Sequence, residues 1–288
     1  MNERTIDRRP IGIDLFAGAG GMSLGFEQAG FDVAAAVEID PVHCAAHAYN
    51  FPRTAVLPRS VQGLSGADIC EAAGIGSAPV DCVFGGAPCQ GFSLIGHRVL
   101  DDPRNALVLD FVRIVAELEA RSFVFENVKG LAVGKHRALL DELVAAFDAA
   151  GYEVRTPWKV LNAGHYGTPQ SRERLILFGC RKGERLPVYP SPQTNIAGRA
   201  ARIESLPFGP SCTDAINDLP DADRFKTLLA SDAVRTNGFG EPSPYAAALR
   251  GLTNDAWHYG YVREWEPTVL TSSARTEHTE ISRGRFAE

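Results

Sequence analysis

Three segments of this chain hold residue types that can do chemistry together. One is a cysteine loop, Gly85-Gly86-Ala87-Pro88-Cys89-Gln90-Gly91-Phe92-Ser93; the second is Phe125-Glu126-Asn127-Val128; the third is Gln170-Ser171-Arg172-Glu173-Arg174. They offer a nucleophile, an acid and an anion clamp. Cys89 follows the apolar run Val80 to Phe84, which places its thiol at the carboxyl edge of a sheet, where open α/β folds keep their chemistry. A cysteine is more often a small buried hydrophobe. Structure-breaking, polar flanks favour a working thiol here. For Glu126 the competing reading is a strand-end carboxylate paired with Lys129. For Arg172 and Arg174 it is surface pairing with Glu173, although an R-x-R pair shares one face of a strand.

The elements that must position these residues alternate in period. Ile11 to Phe16 reads as an apolar strand that runs into Ala17-Gly18-Ala19-Gly20-Gly21 and then the helical pattern Met22 to Ala29. Phe31 to Ile39 is a strand and Pro41 to Tyr49 a helix; Val80 to Phe84 is a strand ending at the cysteine loop. Ala106 to Leu118 reads as a helix, Ser122 to Phe125 as a strand, Arg137 to Ala150 as a helix stopped by Gly151, and Leu175 to Gly179 as a strand. This alternation predicts an α/β fold, a mostly parallel sheet with helices on both faces. Beyond about Arg185 prolines, glycines and short mixed segments take over. The chain thus divides into residues 1–185 and a loop-rich region, 186–288.

A strand, a glycine loop and a helix can hold a dinucleotide pyrophosphate. The spacing here is G-x-G-G, Phe16 offers a flat face to an adenine ring, and Glu38 ends the second strand where a carboxylate meets ribose hydroxyls. S-adenosylmethionine fits this pattern better than NAD. The six cysteines show no paired C-x-x-C and no nearby histidine cluster, so neither a zinc site nor a disulfide framework is expected. No stretch is long and apolar enough for a bilayer and the start lacks the apolar core of a secretion signal, so a cytoplasmic protein is expected. A net charge of −6 argues weakly against a nucleic-acid partner. The local run Arg172, Arg174, Arg181, Lys182 and Arg185 argues the other way.

The ordered motifs Asp14-Leu15-Phe16-Ala17-Gly18-Ala19-Gly20-Gly21, Pro88-Cys89-Gln90, Glu126-Asn127-Val128 and Gln170-Ser171-Arg172-Glu173-Arg174 resemble those of the DNA (cytosine-5)-methyltransferase family. The resemblance runs from about Ile11 to Arg181. It implies a Rossmann-like S-adenosylmethionine domain and a smaller target-recognition domain, with double-stranded DNA between them. It also implies a role for each matching residue. Cys89 would add to C6 of a flipped-out cytosine, Glu126 would hold the N3 edge, Arg174 would bind the O2 side, and Arg172 would support the loop or a phosphate. Phe16, Gly18, Gly20, Gly21, Glu38, Asp68, Ile69, Pro88 and Leu107 would line the cofactor pocket. Gln90, Ser93 and Arg98 would meet DNA. Asp68 alone reads more often as a helix cap before Ile69, and its place in the pocket rests on the resemblance. The family's closing R-E-x-x-R-L-Q and G-N-x-V segments have no counterpart, so 186–288 reads as a truncated recognition region, or one completed by a complementary chain in a split enzyme, in preference to a complete but divergent module. The alternatives are a noncatalytic or split-enzyme subunit and a tRNA cytosine-5 methyltransferase of the same fold.

Overall fold

A computed structural model of the chain describes residues 8–88, 106–132, 137–199, 202–253, 266–271 and 273–275. Cys89, Gln90, Ser93 and Arg98 lie outside the described residues. Strands β1 (Ile11–Leu15), β2 (Asp32–Glu38), β3 (Ala55–Pro58), β4 (Cys82–Gly85) and β5 (Ser122–Val128) alternate with helices α1 (Gly21–Gln28), α2 (Pro41–Asn50), α3 (Gly66–Ala73) and α4 (Ala106–Glu117). Helix α5 (Arg137–Ala149) and strands β6 (Tyr152–Val154), β7 (Lys159–Asn162) and β8 (Glu173–Arg181) follow. The sheet order is β3-β2-β1-β4-β5-β8-β6, with β7 also on β8. The first five strands are mutually parallel; β8 runs antiparallel to β5, β6 and β7.

Each expected strand and helix is present. Strands β3, β6 and β7 and helix α3 were not anticipated. Three or four residues are too few to show a period, and β7 carries exposed Lys159 and Val160 at its start. Strand β1 is buried along its whole length, as a central parallel strand covered on both faces must be. One face of the sheet packs an aromatic core against α4 and α5. Phe123 stacks on Phe147 at 3.8 Å between centroids, and Phe111 meets Phe125 edge-on at 5.2 Å.

After β8 the described residues form short elements: α6 (Cys212–Ile216), β9 (Val234–Arg235), α7 (Pro244–Leu249) and β10 (Val269–Leu270), the two strands pairing antiparallel. Residues near the start of this stretch are bonded back to the turn between β7 and β8. The Thr194 hydroxyl donates to the Gly164 carbonyl at 2.8 Å and the Thr194 amide to the His165 carbonyl at 3.1 Å. Buried Asn195 then fixes the next loop, its amide donating to the Ile203 and Leu206 carbonyls while its Oδ1 accepts from the Ile203 amide.

Behind the glycine loop, α1 and α2 bury a polar chain on the other sheet face. The Ser23 hydroxyl donates to Asp14 Oδ2 at 2.6 Å and lies 3.1 Å from His47 Nε2, all three residues being buried. With the hydroxyl proton given to Asp14, the neutral tautomer of His47 that fits carries its proton on Nε2. Burial lowers the His47 pKa to about 4 and raises that of Asp14 to about 7. An unfolded Asp14 ionises near 3.8, so its contribution to stability is fully present below pH 4 and is lost as the pH rises to about 7. Asp14→Asn keeps an acceptor for Ser23 without the charge. Its urea stability relative to wild type should therefore improve by about 2 kcal/mol between pH 5 and pH 8. A difference that stays constant with pH would refute this account of Asp14.

Candidate active site

Register aligns the carboxyl ends of five strands. Glu38 pairs with Pro58, Leu15 with both Val37 and Gly85, and Gly85 with Phe125. The glycine loop, Glu38, the cysteine loop and Glu126 consequently leave the sheet side by side at one edge. This is the edge at which open α/β sheets bind ligands.

Phe16 leaves β1 with φ +60°, half-buried against the core. Gly20 caps α1 with φ +97°, and a β-carbon there would strike the ring of Phe51, the residue that ends α2. Conformation and closeness both require glycine. Gly18 and Gly21 have open space where a side chain would stand. Glu38 reaches back to the loop: its Oε2 accepts the Gly18 amide at 2.8 Å, and its Oε1 accepts the Ile39 and Asp40 amides at 2.9 and 2.8 Å. A carboxylate has about four acceptor positions, which leaves room for a further hydroxyl donor. The loop residues and Glu38 thus form one cradle.

Three N–H donors converging on a carboxylate were not foreseen, nor was Ile39. That side chain is 68% exposed beside Glu38, an apolar platform at the cradle's mouth. Arg59 and Ser60 continue β3 directly beside it. The signal for these residues was adjacency to the strand-end acid, but β3 itself was not legible.

Asp68 and Ile69 are not brought to the cradle. Asp68 closes a capping box on α3, exchanging hydrogen bonds with Ser65, and the Ser65 amide bond holds its pKa below the usual carboxylate value. Ile69 is buried in the core. The α3 N-terminus lies against the end of α4, where the Gly66 amide donates to Glu117 at 2.8 Å, at the amino ends of the strands. Leu107 sits half-buried in the first turn of α4, and Pro88 is exposed at the last described residue of its loop.

On the acid side the partners differ from those weighed for isolated residues. Lys129 pairs with Glu173 at 2.6 Å, leaving Glu126 to Arg174, whose Nε lies 2.8 Å from Glu126 Oε1. The β5–β8 register sets Arg174 opposite Val128 and Ile176 opposite Glu126, so acid and base are diagonal neighbours on one face. Both remain about a quarter exposed and so open to a ligand. Arg172 precedes β8; its amide donates to Asn162 Oδ1 at 3.2 Å and its position is exposed. Asn127, buried between the two clusters, donates from Nδ2 to the Ala87 carbonyl at 2.9 Å and accepts the Val128 amide. It ties the start of the cysteine loop to the strand that carries Glu126.

The sequence model for C-5 cytosine-specific DNA methylases matches residues 12–272. The chain belongs to that family. Among its relatives, the Type II methyltransferase M.XorII of Xanthomonas oryzae pv. oryzae is 56% identical over 279 residues, covering 97% of this chain and 62% of that protein. M.AquIA, a Type II methyltransferase of Picosynechococcus sp., is 40% identical over 221 residues, 73% of this chain and 89% of its own length. A solved structure described as a prophage-encoded DNA modification methyltransferase of E. coli superposes with a TM-score of 0.56 at 33% identity, over 74% of this chain and 56% of that one. The chain therefore spans about three-fifths of M.XorII. Among the described residues no helix is long and apolar enough to cross a membrane, and no cluster of His, Cys, Asp and Glu could hold a metal ion.

Family membership makes the Asn127 tie testable. Asn127→Ala removes the buried side-chain bonds to the Ala87 carbonyl and from the Val128 amide, so the urea stability should fall by about 1–3 kcal/mol. A loss under 0.5 kcal/mol, at the noise of a surface substitution, would show that the tie is not needed.

Proposed function

We propose that this methylase-family chain transfers a methyl group from S-adenosylmethionine to C5 of a cytosine in duplex DNA, through a transient bond from Cys89 to C6. The observation that carries the proposal is the Glu126–Arg174 pair at 2.8 Å, set at the same sheet edge as the cysteine loop and the glycine cradle. A carboxyl group and a guanidinium held side by side can read two adjacent edges of a pyrimidine, N3 with its amine and O2.

The residues present fit the cofactor. Glu38 retains acceptor capacity for a ribose hydroxyl, Ile39 and Phe16 offer apolar surface to a purine, and the amides that open α1 can meet a carboxylate. Bound there, S-adenosylmethionine supplies an electrophilic methyl group. The protein does the rest. A base inside a duplex hides C5 and C6, so it must be rotated out, at a cost of a few kcal/mol. The Cys89 thiolate adds to C6 and pushes an electron pair toward C5, while Glu126 hydrogen-bonds or protonates N3 and so drains the charge. Arg172 and Arg174 add positive charge to this edge of the sheet, and a cation close to a thiol favours its thiolate. Once C5 has taken the methyl group, its proton leaves to a base, the C5–C6 double bond re-forms and the Cys89 sulfur departs.

A duplex bearing 5-fluorocytosine cannot lose a proton from C5. With S-adenosylmethionine it should trap an adduct that survives denaturation, and Cys89→Ala should form none while binding the cofactor normally. An adduct formed by Cys89→Ala would rule out the mechanism. The cradle is tested separately: Glu38→Ala should weaken S-adenosylmethionine binding by calorimetry at least about tenfold, equivalent to about 1.4 kcal/mol. Unchanged affinity would remove Glu38 from the cofactor site.

A further inference from the structure

Gly85 and Gly86 are adjacent, yet the structure needs them for different reasons. Gly85 has φ +155° and packs on β1 so closely that a β-carbon would collide with the Leu15 carbonyl. That is a demand of the sheet. Gly86 is half-buried and its φ is not among the positive ones, so its backbone suits any residue. A β-carbon on it would lie 2.5 Å from Glu126 Oε2 and 3.6 Å from Glu126 Cδ, with the Glu126 carbonyl at an ordinary 3.5 Å. Among the described residues, the only atom that a β-carbon at residue 86 would crowd is the carboxylate tip of Glu126.

We propose that Gly86 is a positioning residue for Glu126: the absence of its side chain reserves the space in which the carboxylate can lie against Arg174. This deepens the methyl-transfer proposal and rests on it. The carboxylate is wedged, with Oε1 held by Arg174 Nε at 2.8 Å and Oε2 beside the Gly86 α-carbon. A methyl group on residue 86 would drive Oε2 back by about 0.5–1 Å to reach ordinary contact. The carboxylate is rigid, so Oε1 moves with it and the contact to Arg174 changes. Because the displaced atom is the far end of a flexible side chain, the fold can absorb the change. The site cannot, since a misplacement of about 1 Å costs on the order of 100-fold in rate.

The test is a double-mutant cycle of Gly86→Ala with Glu126→Asp, whose shorter side chain withdraws the carboxylate from residue 86. In the otherwise wild-type chain, Gly86→Ala should slow adduct formation with the 5-fluorocytosine duplex by about 100-fold at saturating cofactor. Cofactor affinity should stay within about twofold and the melting temperature within about 2 °C. In the Glu126→Asp background the same substitution should cost less than about threefold further. Equal losses in both backgrounds overturn the proposal, as does a loss shared with cofactor binding and melting, which would make Gly86 a requirement of the loop. Full adduct formation by Gly86→Ala overturns it too and leaves the functional proposal standing. If the wild-type chain forms no adduct, the functional proposal fails by itself, and a crystal structure of Gly86→Ala decides the positioning claim. A Glu126–Arg174 contact lengthened beyond hydrogen-bonding distance supports it, and an unmoved carboxylate overturns it.

Discussion

The antiparallel pairing of β5 with β8 is the constraint from which the site follows. Seven consecutive residue pairs, from Ser122 with Cys180 to Val128 with Arg174, carry a guanidinium from a distant stretch of chain to the tip of Glu126. Side chains alternate along a strand, so a slip of one residue would turn Arg174 to the opposite face and bring Glu173 in its place. The ion pair itself, a quarter exposed, adds only about 0–1 kcal/mol to stability. Its value is placement, and the apolar side of the same strands, with Phe123, Phe125, Leu175 and Leu177 all buried, fixes the register.

The glycine-loop cradle shows the same division between support and contact. Glu38 organises its loop by accepting three backbone amides. A ligand that meets such a loop has little ordering left to do, which saves affinity otherwise lost to entropy. Beneath it, Asp14, Ser23 and His47 join β1, α1 and α2 through hydrogen bonds buried from solvent. The burial that shifts both titrating groups also makes this junction rigid, because each partner lost would leave another polar group stranded.

Much of this was legible in the residues. Continuous apolar runs ending in glycine or an acid marked β1, β2 and β4, and the parallel sheet follows from their alternation with helices. The cysteine loop was placed at the carboxyl edge by the rule that ligands meet the ends of such strands, whereas the arginines reach that edge from the amino end of antiparallel β8. What resisted was whatever depends on tertiary pairing. β3, β6 and β7 are too short to show a period. Asp68 matched a binding pattern by type and neighbour, but local hydrogen bonding to Ser65 claims it for a helix end. Lys129 looked available to Glu126 on proximity along the chain, and the cross-strand register gave it to Glu173 instead. The space beside Gly86 is invisible in a string of letters, since it is defined by a side chain forty residues away.

Thr194 and Asn195 follow the last long strand, yet their bonds run to the turn over residues 163–167 and to the loop that closes at Gly209. This stretch therefore travels with the sheet and with the turn that leads into Arg172. A chimaera with a relative that is cut beyond Gly209 keeps this brace intact, whereas a seam at residue 186 would sever it and loosen the approach to β8. The natural splice point for a chimaera lies beyond Gly209, well past the end of β8 at Arg181.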